Sequence, residues 1–143
     1  MTNRLFEKIL IATDGSERNR AAVEEALRIG RVYGSTVFAV YVMDISALES
    51  ASADVVIGDT WVLIQREAEA AVARIRTLAE GVNLETAILE GKPAAEIVRF
   101  ATEREIDLIV IGTQGKRGLE RLLLGSVAEE VIRSAPCKVL VVK

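Results

Sequence analysis

The sequence contains no histidine and a single cysteine, Cys137. A Ser-His-Asp triad, a Cys-His catalytic pair and an ordinary zinc site of histidine and cysteine ligands are therefore excluded. Disulfide bonds within the chain are excluded too, because each needs two cysteines. Cys137 directly precedes a strand-like apolar run, so we interpret it as a small core or strand residue and not as a nucleophile.

Long apolar segments and an excess of positive charge are also missing. The N-terminal stretch MTNRLFEKILIAT has no long apolar segment between its charges, and no uncharged apolar run reaches the roughly eighteen residues that a membrane helix needs. The net charge of −3 argues against a nucleic-acid-binding protein recruited by bulk positive charge. We therefore expect a soluble cytoplasmic protein that binds neither membranes nor nucleic acids.

The length and apolar content of the chain fit one folded unit. It has 143 residues, half of them hydrophobic, and a chain of this size buries roughly 70% of its unfolded surface. This composition excludes a disordered chain. We predict a single domain over residues 1–143 with one core.

Strand-like and helix-like patterns alternate along the chain. Apolar β runs are predicted at 8–13, 36–43, 84–89, 108–111 and 138–142, and helices at 17–33, 60–80, from 93 onwards and at 126–134. Such alternation predicts an α/β fold, an open parallel five-stranded sheet with helices on both faces, similar to the Rossmann fold. We expect the common strand order 3-2-1-4-5.

One long connection interrupts this alternation. Residues 44–59 are rich in serine, alanine and aspartate and show no firm period, so we predict a flexible loop that is the best candidate for a lid. Thr60 is the predicted cap of the helix that follows.

A glycine-rich segment follows the fourth predicted strand. The run GTQGKRG occupies residues 112–118, and its glycines are able to take positive φ and turn their N–H groups towards an anion. Gly125 and Ser126 then open a helix, whose first N–H groups favour a phosphate. The same residues also fit an ordinary turn followed by a capping box of Ser126 and Glu129. The motif G-x-x-x-x-G-K-[ST] does not occur, which excludes the Walker A route to ATP.

The expected topology brings this segment to a ligand crevice. In the order 3-2-1-4-5 the winding of the sheet reverses between the first and fourth strands, and open α/β sheets bind ligands at that reversal, beyond the carboxyl ends of the strands. The turn Asp14-Gly15-Ser16 and the glycine-rich segment would meet there.

Several separated motifs resemble one known family. The spacing Gly112-x-x-Gly115, nine residues, then Gly125-Ser126 looks like the ATP-binding signature of the universal stress protein family. The stretches KILIATDGSE, VYVMD, EGKPAAEIV and LLLGSVAEEVIRSAPCKVLVV extend the similarity across the whole chain, in the same order.

This resemblance implies a nucleotide that lies across the crevice. Its triphosphate would lie in the segment from Gly112 to Gly118 and on Ser126 and Val127. Its adenine would lie near Ala12 and Val42, and Asp14 would approach the ribose or a phosphate-bound magnesium or manganese ion. The implied ATP-binding residues are Ala12, Thr13, Asp14, Val42, Gly112, Thr113, Gln114, Gly115, Lys116, Arg117, Gly118, Gly125, Ser126 and Val127. The resemblance further implies a homodimer formed through the strand at 138–142.

Each of these residues also has an ordinary explanation. Asp14 fits a turn or a helix cap, Val42 fits the core, and the cations Lys116 and Arg117 fit a solvated loop. Gln114 departs from the histidine that many members of the family place at this position. A neutral amide adds no charge for binding a phosphate.

The resulting hypothesis is an ATP-binding regulatory or stress-response protein with little or slow hydrolysis. No separate general base is evident, and the resemblance implies slow or absent turnover. Two alternatives remain at this point: a slow magnesium-dependent ATPase or nucleotidyl-handling enzyme, and a dimeric interaction module with an empty glycine loop. A protein partner is expected in a regulatory role, but the sequence does not identify it.

Overall fold

The computed structural model of the chain describes residues 5–46, 54–113 and 124–143. Strands and helices alternate through these ranges, as predicted. The elements are β1 (Lys8–Thr13), a short 3-10 helix (Glu17–Asn19) that leads into α1 (Arg20–Tyr33), β2 (Thr36–Met43), α2 (Asp54–Leu78), β3 (Asn83–Glu90), α3 (Pro93–Glu103), β4 (Leu108–Gly112), α4 (Ser126–Ser134) and β5 (Lys138–Val142).

The five strands form one parallel sheet in the order β3-β2-β1-β4-β5. This confirms the predicted fold class and strand order. β1 lies at the centre, where Ile11 pairs with Ala39 of β2 and with Val110 of β4. The winding therefore reverses between β1 and β4, as expected.

Helices cover both faces of the sheet. Leu10 and Ala12 of β1 pack in a cluster with residues of α3 and α4, whereas Ile9 and Ile11 pack in a second cluster with residues of α1 and α2. Because neighbouring side chains of a strand point to opposite faces, burial on both sides requires an unbroken apolar run. The run KILIAT in β1 has this property.

The two edge strands differ from the centre. Exposed and partly buried residues alternate along most of β3, which confirms the prediction of an edge strand there. β5 forms the opposite edge, and its apolar residues Val139–Val142 are all partly buried.

Helix α2 is longer than predicted at its N-terminus. It begins at Asp54, so the predicted 44–59 loop is wrong over its last six residues, and Thr60 lies within the helix instead of capping it. A helix is costly to nucleate but cheap to extend, so the strongly packed part after Trp61 extends it through the weak segment around Gly58. Residues 47–53 lie outside the described ranges.

The two glycines predicted to end helices, Gly34 and Gly81, both have left-handed backbone conformations at or just after a helix end. Gly34 caps α1 in the left-handed conformation, with φ of 65°. Gly81 has φ of 79° just after α2, although that helix ends at Leu78 and not at residue 80. Among the described helices, none combines the length and apolarity needed to cross a membrane.

A carboxylate joins β1 to β4 at the amino edge of the sheet. Asp107 Oδ2 accepts hydrogen bonds from the backbone N–H of Lys8 at 2.9 Å and of Glu7 at 3.0 Å.

Burial raises the pKa of the Cys137 thiol, and the negative charge of Asp107 raises it further. The neutral thiol is thereby favoured, in keeping with the interpretation of Cys137 as a structural residue.

Two helical glycines provide a test of this packing. A Cβ at Gly30 in α1 would lie 2.7 Å from Val37 Cγ2 of β2, whereas a Cβ at Gly58 in α2 would meet nothing within 4 Å. Overpacking costs about 1–3 kcal/mol, and alanine gains about 1 kcal/mol over glycine in a helix. We expect Gly30→Ala to lower the free energy of unfolding by about 1 kcal/mol and Gly58→Ala to leave it unchanged or raise it, as measured by urea denaturation. Equal effects of the two substitutions would contradict the close packing of α1 on β2.

Candidate functional site at the carboxyl edge of the sheet

The chain leaves β1 through a tight turn. Asp14 Oδ1 accepts hydrogen bonds from the backbone N–H of Ser16 at 2.9 Å and from its hydroxyl at 2.6 Å. The N–H of Gly15 donates to Thr13 Oγ1 at 3.1 Å. Asp14 therefore has the turn role that its residue type predicts, through one of its two carboxylate oxygens.

Helix α2 packs directly on this turn. Gly15 has φ of 76°, and a Cβ there would lie 3.0 Å from Ala71 Cβ and 3.3 Å from Arg74 Nη2. Arg74 Nη2 donates to the carbonyl oxygen of Gly15 at 2.8 Å. Glycine is thus required here by its backbone conformation and by the close approach of α2.

An open depression of about 270 Å³ lies between α2 and the turn. Its lining includes two carboxylates, Asp14 and Glu67, and the guanidinium of Arg74. Sequence reasoning missed Glu67 and Arg74, which are seven residues apart and therefore lie on one face of a helix. The signal for them in the sequence was the seven-residue spacing of two charged residues beside the apolar stripe of α2.

The exit of β4 is packed against the start of α1. A Cβ at Gly112 would lie 3.3 Å from Asn19 Nδ2, and the φ of Gly112 lies outside the left-handed region. The prediction of positive φ at Gly112 is therefore wrong. Glycine is needed there because a neighbouring side chain approaches the backbone.

Backbone hydrogen bonds bring the end of β4 to the start of α4. Thr113 N–H donates to the carbonyl oxygen of Val142 at 3.1 Å, and Gly125 N–H donates to the carbonyl oxygen of Thr113 at 2.6 Å. The chain thus leaves β4 and enters α4 at the same place, next to β5.

Helix α4 begins without a side-chain cap. Gly125 is the N-cap residue, with φ of −73° and ψ of 162°, and Glu129 N–H donates to its carbonyl oxygen at 3.0 Å. The capping box predicted for Ser126 and Glu129 is therefore wrong, because the hydrogen bond to Thr113 fixes Gly125 as the last extended residue and makes Ser126 the first helical one. A glycine cap offers no side-chain acceptor, so the first N–H groups of α4 need a partner from outside the helix, such as water or an anion.

The predicted site residues fall into three groups and an undescribed segment. Ala12, Thr13 and Asp14 lie at the exit of β1, Gly112 and Thr113 at the exit of β4, and Gly125, Ser126 and Val127 at the start of α4. Val42 lies near the end of β2, partly buried in the same cluster as Ala12. Gln114, Gly115, Lys116, Arg117 and Gly118 lie outside the described residues.

Metal-binding side chains are sparse in this region. Within residues 5–46, 54–113 and 124–143 there is no cluster of three or more histidine, cysteine, aspartate or glutamate residues that would hold an ion.

Comparison with known proteins identifies the class of protein that has this fold and this site at the carboxyl edge of the sheet. The chain matches the universal stress protein family over residues 5–143 and belongs to this family. A universal stress protein of Methanocaldococcus jannaschii is 46% identical over 145 residues, covering 97% of this chain and 83% of the relative.

Two solved structures share the fold across nearly their whole length. The universal stress protein UspA from Lactobacillus plantarum is 30% identical, covers 96% of this chain and 98% of its own, and has a TM-score of 0.84. A universal stress protein from Archaeoglobus fulgidus, solved in complex with dAMP, is 27% identical, with 97% and 99% coverage and a TM-score of 0.66.

The hydrogen bond from α2 to the β1 turn generates a prediction with a matched control. Arg74→Ala removes the donor to the Gly15 carbonyl, so the amides of Gly15 and Ser16 should exchange hydrogen several-fold faster. Arg76 on the same helix donates instead to Thr86 Oγ1 of β3 at 2.7 Å, and Arg76→Ala should leave those two amides unchanged. Hydrogen exchange followed by NMR measures both. Identical protection of the turn in the two variants would show that Arg74 does not hold it.

Proposed function

We propose that this chain binds ATP at the carboxyl edge of its sheet and acts as a nucleotide-dependent regulatory protein in the cytoplasmic stress response. The observation that carries the proposal is the start of α4 at the β1–β4 reversal of the sheet, where the N-cap residue Gly125 has no side chain to accept from the first N–H groups of the helix. The dAMP complex of the Archaeoglobus fulgidus relative supports an adenine nucleotide as the ligand.

The triphosphate is proposed to lie over the exit of β4 and the start of α4. Backbone N–H groups of Ser126 and Val127 would bind it, since they belong to the first turn of α4 and Gly125 brings no competing acceptor. The remaining proposed contacts come from Gly112, Thr113 and the segment Gln114, Gly115, Lys116, Arg117 and Gly118. Among these, Lys116 and Arg117 would supply the positive charge that Gln114 lacks.

The adenine is proposed to lie over the ends of β1 and β2. Ala12 and Val42 belong to neighbouring strands and pack on the same face of the sheet, which also carries α3 and α4. An adenine edge is read by backbone N–H and C=O groups, so neither position needs a polar side chain. Thr13 continues from this surface into the Asp14 turn.

Magnesium or manganese is proposed to accompany the nucleotide at Asp14. Oxygen ligands suit both ions, and magnesium is commonly held by one or two carboxylates together with substrate phosphates. Both hydrogen bonds from Ser16 go to Oδ1, which leaves Oδ2 of Asp14 for the ion. The ion would neutralise phosphate charge beside the β1 turn.

Regulation is proposed in preference to rapid catalysis. Asp14 is held in its turn by the hydrogen bond to Oδ1. Backbone N–H groups bind the phosphate of a stable complex as well as that of a transition state, and such equal binding does not accelerate a reaction. Nucleotide binding would change the surface beside the site that is offered to a protein partner.

Binding and its metal dependence are tested by titrating the purified protein with ATP in the presence and absence of Mg²⁺. We expect saturable binding that Mg²⁺ strengthens, and we expect Asp14→Ala to abolish that strengthening. Asp44 is a matched control, because it forms the same turn after β2, with Ser46 N–H at 3.0 Å and the Ser46 hydroxyl at 2.6 Å from its Oδ1.

Asp44→Ala should keep the Mg²⁺ effect of the wild type. Absence of ATP binding to the wild type would falsify the proposed function. A Mg²⁺ effect that survives Asp14→Ala would remove Asp14 as the ligand while leaving ATP binding intact.

A homodimer through β5 is also proposed. The strand Lys138–Val142 forms the edge of the sheet beside β4, and an apolar edge strand favours pairing with another strand. Successive strand residues direct their backbone groups to opposite edges, and the Val142 carbonyl faces Thr113. The N–H groups of Val139 and Val141 therefore face the free edge.

The outward direction of these N–H groups allows a direct test of the dimer. Val141→Pro removes an outward N–H and leaves the hydrogen bonds to β4 in place, so we expect a monomer by light scattering where the wild type is a dimer. Leu140→Ala, which keeps every backbone donor, is the control and should remain a dimer. A monomeric wild type at micromolar concentration would overturn this assembly.

A further inference from the structure

One buried polar side chain at the β1–β4 reversal lacks a partner. Asn19 is 4% exposed, and within the described residues its Oδ1 is the one buried side-chain polar atom without a hydrogen bond. Its Nδ2 donates to the carbonyl oxygen of Ala12 at 3.4 Å. Rotating the amide by half a turn would place Oδ1 against that carbonyl, so the group has no orientation in which both ends are satisfied.

Helix capping does not explain this asparagine. Asn19 occupies the N-cap position of α1, where asparagine normally accepts a hydrogen bond from the first turn, but it makes no such bond. Its φ of −84° and ψ of −11° are helical, and its side chain turns towards the sheet. An apolar residue would fill the same space without an unpaired acceptor, so core packing does not explain it either.

The side chain of Asn19 instead touches both strand exits that form the candidate site. It bonds to Ala12, two residues before the Asp14 turn, and lies against Gly112, where a Cβ would come within 3.3 Å of Nδ2. Replacing Asn19 by an apolar residue would release the Ala12 carbonyl and remove the amide that lies against Gly112. The separation of the two exits therefore depends on this amide.

We propose that Asn19 is a positioning residue of the nucleotide site, which fixes the exits of β1 and β4 relative to each other. The inference rests on the proposed nucleotide binding. It assigns no direct contact with the ligand to Asn19, because its Oδ1 is fully buried.

The test uses the two buried polar residues that the described ranges contain, Asn19 and Ser35. Ser35 is 2% exposed, and its hydroxyl donates to the carbonyl oxygen of Phe6 at 2.5 Å, ahead of β1 at the opposite edge of the sheet. Both Asn19→Leu and Ser35→Ala remove a buried side-chain donor, but only Asn19 contacts the two strand exits of the candidate site. The two substitutions should therefore differ in their effect on ligand binding.

For Asn19→Leu we expect a Kd for Mg-ATP raised roughly tenfold or more, because the site loses its preorganisation. For Ser35→Ala we expect a melting temperature lower by roughly 2–4 °C and an unchanged Kd. Asn19→Ala removes the same amide with a smaller side chain, and should also weaken binding if leucine distorts the core. Wild-type affinity in both Asn19 variants would overturn the proposal.

Hydrogen exchange at Asp14 and Thr113 separates this proposal from the proposed function. Both amides should exchange faster in Asn19→Leu without any ligand present, and neither should change in Ser35→Ala. Unchanged exchange in Asn19→Leu would overturn the positioning role whatever the protein binds. Faster exchange together with no ATP binding by the wild type would refute the proposed ligand and leave the positioning role standing.

Discussion

Burial of β1 on both faces is the constraint on which the other elements depend. A strand with Leu10 and Ala12 on one side and Ile9 and Ile11 on the other is stable only if helices cover both sides. The chain meets this requirement by placing α1 and α2 on one face and, after β3, crossing to the other face with α3 and α4, which creates the reversal between β1 and β4. The same requirement that closes the core therefore leaves a crevice at the carboxyl edge.

The strands and their order were predictable because their signals are local and strong. KILIAT and TVFAVYVM are unbroken apolar runs, as central parallel strands require, and NLETAILE alternates, as an edge strand does. Gly34 and Gly81 marked helix ends because positive φ there favours glycine. The family signature, with its separated motifs, supplied the expected nucleotide.

The errors have a common physical origin in tertiary contacts. Ser126 has the sequence of a helix cap, but the hydrogen bond from Gly125 to Thr113 moves the cap by one residue. Gly112 was predicted as a glycine free to take positive φ, yet the constraint there is the approach of Asn19, which is ninety-three residues away in the chain. The spacing of Glu67 and Arg74 marks one face of α2, but the hydrogen bond from Arg74 to Gly15 arises only when α2 packs on the β1 turn. No local pattern marks Asn19, whose contacts with Ala12 and Gly112 are both tertiary.

The two edge strands of the sheet differ in charge, and this difference limits which edges of two copies of the chain are able to pair. β3 exposes the carboxylates of Glu85 and Glu90, whose mutual repulsion opposes pairing with another β3, whereas β5 exposes no acidic side chain. Only one edge is therefore suited to pairing with its own copy. A contact that uses the same patch on both partners is self-terminating, so the dimer proposed through β5 would stop at two copies and would not grow into a continuous fibre.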